Sequence, residues 1–98
     1  MHLLGREIRA VKIARDDTRT PLIEIADWEF QWQDTYFPLD PPLVGPGDRV
    51  RIEGVYDNSP NNRNNPNSPP RAVSYGERTV DEMCLVIVFA TARILAAP

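Results

Sequence analysis

Ninety-eight residues make at most one small domain, and a chain of that length buries a core with a narrow stability margin. The net charge is −3, with both signs spread along the sequence, which argues against a nucleic-acid or anionic-membrane partner. Cys84 is the only cysteine, which excludes an intrachain disulfide, and the longest apolar run, around Leu85–Ala92, is far too short to span a bilayer.

A lone thiol fits a reducing compartment and an oxidising one alike. Arg6, Glu7 and Arg9 interrupt any apolar signal region at the N-terminus, so an exported form would need a signal upstream of residue 1. Proline is abundant, and β-branched and aromatic residues cluster between turn residues, which predicts an all-β fold.

The first predicted element is the run His2–Ala14. Ile8 and Ala10 share one face and Val11 and Ile13 the other, so a β-bulge near Ala10 would reconcile the halves. Asp16 to Pro21 is read as a turn. Leu22–Gln33 is expected to be a half-buried strand, with Trp28, Phe30 and Trp32 on one face at period two. Its register shifts near Ala26 and Asp27, because Ile23 and Ile25 have the opposite parity.

A loop follows over Asp34–Asp48, marked by Pro38, Pro41, Pro42 and Pro46. Arg49–Tyr56 alternates cleanly, with Val50, Ile52 and Tyr56 facing in and Arg49, Arg51 and Glu53 facing out. Residues 57–71 are dominated by asparagine and proline and read as one long exposed loop. A short strand at Ala72–Tyr75 and a central strand at Met83–Ala92, apolar on both faces, complete the expectation. No internal repeat or linker divides the chain, so residues 1–98 are one domain. Four or five strands are few for a complete sandwich. A sheet this small leaves an apolar face or an edge open to pairing. The chain therefore reads as part of a larger sandwich or as a unit that dimerises.

Chemistry concentrates in Gly76-Glu77-Arg78-Thr79-Val80-Asp81-Glu82-Met83-Cys84. There a methionine follows two carboxylates at the start of an apolar run. A thioether is a soft donor and suits Cu(I). His2, near the other end of the chain, adds an imidazole, and the two together are a copper pair. The plain alternatives are a solvated terminal histidine and a core methionine.

Three segments, in order, resemble the C-terminal part of the copper type II, ascorbate-dependent monooxygenases, the family of peptidylglycine α-hydroxylating and dopamine β-monooxygenases, with the bacterial branch closest. They are His2-Leu3-Leu4-Gly5, Tyr36-Phe37-Pro38 through Pro46-Gly47-Asp48, and Asp57-Asn58-Ser59 through Asp81-Glu82-Met83-Cys84. The resemblance implies a jelly-roll-like antiparallel β-sandwich, of which this chain would supply about five strands. It also implies one copper, held by a His-x-His pair and a methionine, with O2 activated there and a substrate C–H bond hydroxylated.

By this likeness His2 is the second histidine of the pair and Met83 the sulfur ligand. The first histidine would precede Met1, so the copper site is incomplete. The three-histidine copper domain that supplies an electron is also absent. No catalytic residue is assigned. The complete enzyme would use O2, an ascorbate-type reductant and a small-molecule or peptide substrate. The family is mostly secreted or periplasmic. This chain would associate with the missing part or form a homodimer. The family's half-cystine partner of Cys84 falls at about Gly54, which leaves a free thiol, expected to be buried and inert.

Other readings stay open. Met1 could add its amine and the next amide to the His2 imidazole as a Cu(II) chelate. Asp81 and Glu82 could act as acid and base or as hard ligands, although hydrogen bonding to loop backbone is the plainer role. Trp28, Trp32 and Tyr36 could form a sugar-binding platform, and Asp57, Asn58, Asn61 and Asn62 could offer oxygen ligands to Ca²⁺. The functional alternatives are therefore a non-catalytic copper-handling module and a carbohydrate- or protein-binding sandwich.

Overall fold

The computed structural model describes residues 1–33 and 41–91. Three antiparallel strands form one sheet: β1 (Gly5–Ile13), β2 (Arg19–Ile25) and β3 (Arg49–Tyr56), in the order β2-β1-β3. No α-helix occurs among the described residues, and the one helical turn is a 3₁₀ turn at Phe30–Trp32. The protein is all-β. A five-stranded sandwich is not seen among the described residues.

β1 lies in the middle, and its two neighbours satisfy both rows of its backbone groups. Register explains the alternation. Ile8 stands opposite Ile25 and Gly54, and Ala10 opposite Ile23 and Ile52, which makes one face apolar. Arg9 stands opposite Glu24 and Glu53 on the other face. Its 3.6 Å ion pair with Glu53 is open to solvent and adds little to stability.

The register does shift beside Ala10, but the bulge expected in β1 lies on its partner, and β1 runs without a shift opposite β3 there. Ala10 pairs with Ile23 and Val11 with Pro21, so the extra residue is Leu22 on β2. Proline brings no N–H to a ladder, and a bulge beside it removes the need for one. A second shift between Gly5 and Glu7 leaves Arg6 out of the β1–β3 pairing. Its carbonyl accepts the backbone N–H of Trp28 at 2.8 Å instead.

Three predicted strands are corrected. The strand expected over Leu22–Gln33 stops at Ile25, and its start lies earlier, at Arg19. The β1–β2 turn occupies Ala14–Thr18, where Asp17 takes a positive φ of 68° and Asp16 Oδ1 accepts the Thr18 N–H. Trp28, Phe30 and Trp32 therefore do not form a period-two row, and a 3₁₀ turn separates the last two by a different rotation. The strand expected at Met83–Ala92 is irregular through residue 91, and Ala92 lies outside the described residues. Tyr75 makes a single bridge to Glu82, and this is all that remains of the short strand at Ala72–Tyr75.

The reason is a shortage of partners. Met1, Leu4, Ile8, Ala10 and Ile13 are the buried apolar residues among those described, so the core belongs to the first turn and β1. On the edge strand β3, Val50 and Ile52 keep 40% and 41% exposure. A strand apolar on both faces needs cover on both, and one half-covered sheet cannot provide it. The molecule is accordingly elongated. Its radius of gyration is 17.0 Å, against about 13 Å for a compact domain of this length.

Residues 57–71 form a series of turns stapled by their own side chains. Asn62, buried, donates Nδ2 to the Asp57 carbonyl at 2.7 Å, and Asn58 donates to the Arg71 carbonyl at 3.0 Å.

Candidate metal centre

His2 and the segment 81–83 lie at opposite ends of the sequence, and the fold brings them together. Three backbone N–H groups converge on the Glu82 carboxylate. His2 N donates to Oε1 at 2.5 Å, Leu4 N to Oε2 at 3.1 Å and Met83 N to Oε1 at 3.2 Å. Charge-assisted bonds of this kind are the stronger class. They knit the first turn of the chain to the residue before Met83.

The segment reaches this position through a tight loop. Gly76 N donates to the Glu82 carbonyl and Glu82 N to the Ser74 carbonyl, each at 3.1 Å. Inside the loop Arg78 grips Asp81 with two bonds, 2.9 and 2.8 Å long. The Arg78 guanidinium holds the Asp81 carboxyl below its usual range. Both carboxylates thus bond to loop and N-terminal groups, the plainer of the two roles open to them in the sequence.

The His2 ring is fixed from two sides. Nδ1 lies 2.9 Å from the Asp81 carbonyl, and the Phe30 ring meets it edge-on at 5.7 Å. A carbonyl only accepts, so Nδ1 carries a proton, and in the neutral ring that leaves the lone pair on Nε2. His2 is 9% exposed, and its own carbonyl accepts the Trp28 indole N–H at 3.2 Å. Trp28 is half-buried and Trp32 is 78% exposed, and Tyr36 lies outside the described residues. The His2 amide that would enter a chelate with the Met1 amine already donates to Glu82.

Met83 is half-buried. Its backbone is held at both ends, by Glu82 at the N–H and by the Tyr56 hydroxyl, which donates to the Met83 carbonyl at 2.7 Å. Burial pushes the Tyr56 hydroxyl far above its ordinary range, and the neighbouring Cys84 and Glu82 act in the same direction. Cys84 is free, as expected, but exposed rather than buried. It was expected inside because a regular strand would have turned it inward, and no strand forms here. A side chain at Gly54 would place its Cβ 3.0 Å from Cys84 Sγ, so Gly54 does face the thiol.

Sequence reasoning did not single out Tyr56, Phe30 or Trp28 for this site. The inward parity of Tyr56 on a cleanly alternating strand was the available signal for the first. Nothing in the spacing pointed to the other two, because the period-two reading placed them in a strand. Asp57 Oδ1 accepts the Ser59 N–H, Asn58 donates to the Arg71 carbonyl and Asn62 to the Asp57 carbonyl, and no cluster of three or more His, Cys, Asp or Glu able to hold a metal occurs among the described residues.

Compared with known protein families, the chain matches the C-terminal domain of the copper type II ascorbate-dependent monooxygenases over residues 1–92. The chain belongs to this family. The match takes in both His2 and the Met83 segment of this monooxygenase-type domain. Neither the curated proteins nor the solved structures yield a match. No helix among the described residues is long and apolar enough to cross a membrane.

Proposed function

We propose that this chain carries part of the methionine-copper site of a copper-dependent monooxygenase-like protein, with His2 Nε2 and Met83 Sδ as copper ligands. One observation carries the reading: the Asp81 carbonyl, two residues before Met83, accepts a hydrogen bond from His2 Nδ1. That bond fixes the tautomer in which Nε2 is free to bind a metal, the arrangement metal-binding histidines ordinarily show. Imidazole and thioether are donors that suit copper. Copper in the complete enzyme supplies the one-electron chemistry by which O2 hydroxylates a substrate C–H bond, with an ascorbate-type reductant.

The chain's own residues orient and shield. Asp81 and Phe30 hold the His2 ring, Glu82 ties the first turn to the Met83 backbone, and Tyr56 anchors the Met83 carbonyl. The sheet β2-β1-β3 is one layer of a sandwich whose second layer would cover Val50 and Ile52.

A second reading, a copper-binding module without catalysis, is favoured by composition. His2 is the only histidine in these 98 residues, so they do not supply a three-histidine site. The chain alone is therefore expected to bind copper and to show no hydroxylation with copper, ascorbate and O2.

Copper titration of the parent, His2→Ala and Met83→Leu tests the ligand assignment. Each substitution is expected to weaken binding by about tenfold or more. Placing a histidine immediately before Met1 is expected to strengthen it by a similar factor. Equal affinity in the parent and His2→Ala overturns the assignment.

A further inference from the structure

We propose a second copper site in this chain, made of sulfur alone: Cys84 Sγ and Met1 Sδ bind one Cu(I) ion over Gly54. The two sulfurs lie 3.0 and 3.2 Å from the place a Cβ on Gly54 would occupy. They therefore stand no further apart than 6.2 Å, the sum of those separations. A linear sulfur–metal–sulfur unit spans about 4.6 Å, from metal–sulfur bonds of about 2.3 Å. That span falls inside the limit.

The space exists because residue 54 is glycine, and the Tyr56 ring edge closes it at 3.2 Å from the same point. The two donors differ in a useful way. Cys84 is exposed and gives an ion a way in from solvent. Met1 is 5% exposed, and its sulfur receives no hydrogen bond among the described residues, so a buried, uncommitted soft donor is aimed at the same place. A thiolate and a thioether select a soft monovalent cation over Mg²⁺, Ca²⁺ or other hard ions. The ion takes the place of the thiol proton, which leaves to solvent, and no electron is transferred.

This site shares no donor atom with the His2–Met83 pair and does not rest on it. The test is a Cu(I) titration of the full chain against a colorimetric Cu(I) chelator under reducing, oxygen-free conditions. Parent, His2→Ala, Cys84→Ser and Gly54→Ala are compared, and far-UV circular dichroism checks that each variant is folded. His2→Ala is expected to keep one equivalent of Cu(I). Cys84→Ser is expected to lose that equivalent. Gly54→Ala retains both sulfurs but fills the space between them, and is expected to bind it at least about tenfold more weakly.

Loss of all Cu(I) in His2→Ala overturns the proposal. So does parent-like affinity in Gly54→Ala, which would mean an exposed thiol acting alone. One Cu(I) per two chains by native mass spectrometry would likewise overturn it, because both sulfurs would not then come from one chain. Failure of the His2 assignment shows separately, as equal total binding in the parent and His2→Ala.

Discussion

Residues 81–84 and residues 85–91 are continuous, yet they meet opposite surroundings. The first group is locked down: Glu82 holds three backbone N–H groups, Arg78 holds Asp81, and Tyr56 holds the Met83 carbonyl. The second is the more apolar, and it is open to solvent, with Leu85, Ile87, Val88 and Phe89 between 57% and 73% exposed. Hydrophobicity alone therefore does not decide which part of this chain is ordered against the sheet. Polar groups with matching partners hold residues 81–84, and apolar groups without a facing layer stay outside. Burial requires a surface to be buried against.

The sharpest way to break this contrast is Glu82→Ala. It leaves three part-buried N–H groups without their acceptor and is expected to lower stability by about 3 kcal/mol, read as the urea midpoint. A loss under about 1 kcal/mol would mean that the carboxylate does not hold the two ends together. Gly54→Cys works in the other direction. Its Cβ would stand 3.0 Å from Cys84 Sγ, close enough for a disulfide under oxidising conditions. The oxidised variant is expected to gain about 2 kcal/mol over its reduced form, which non-reducing mass analysis and denaturation would show together. Absence of the bond would mean that residue 84 does not rest on β3.

A smaller effect tests a second tether, at the far end of β1. Hydrogen bonding from the Gly45 N–H, helped by Lys12, lowers the Asp48 carboxyl below its ordinary 3.8. A depressed folded-state value means that this contribution is fully present above 3.8 and is lost as pH falls through the lower folded value. Carboxyl chemical shifts should place Asp48 below 3.8, and Asp48→Asn should remove the matching acid transition of the Gly45 amide. Titration of Asp48 at or above 3.8 would refute the tether. Least of all should change with Leu85→Ser and Phe89→Ser, each expected within about 0.5 kcal/mol of the parent. A loss several times larger would show that residues 85–91 pack against something, and would erase the contrast.

The legible parts were those with local causes. Alternation gave β3 its bounds at Arg49 and Tyr56, and the clash of parity along β1 pointed to the right place beside Ala10 but to the wrong strand, since the extra residue is on β2. The pairing of His2 with Met83 came from the family resemblance and not from a local pattern; the fold places the His2 ring against the Asp81 carbonyl. The misread parts depended on distant partners. Period-two aromatics at Trp28, Phe30 and Trp32 suggested a strand, but β2 ends at Ile25, and Trp28 instead bonds to Arg6 and His2. Cys84 was expected inside because a regular strand would turn it inward, and no strand forms at residues 83–91, where one layer alone is present among the described residues. The grip of Glu82 on the first turn could not be read from sequence, since no local pattern records a contact eighty positions away.

That separation also has a kinetic meaning. A chain made from its N-terminus can build the β1–β2 hairpin as soon as Ile25 is available, and can add β3 once Tyr56 follows. His2 and Leu4 must wait for Glu82 before their N–H groups find an acceptor. Long-range closures are slow to form, because the chain loses its freedom before the contact rewards it. His2 and Leu4, among the most buried of the described residues, are thus secured only after the strands between them and Glu82 have been made.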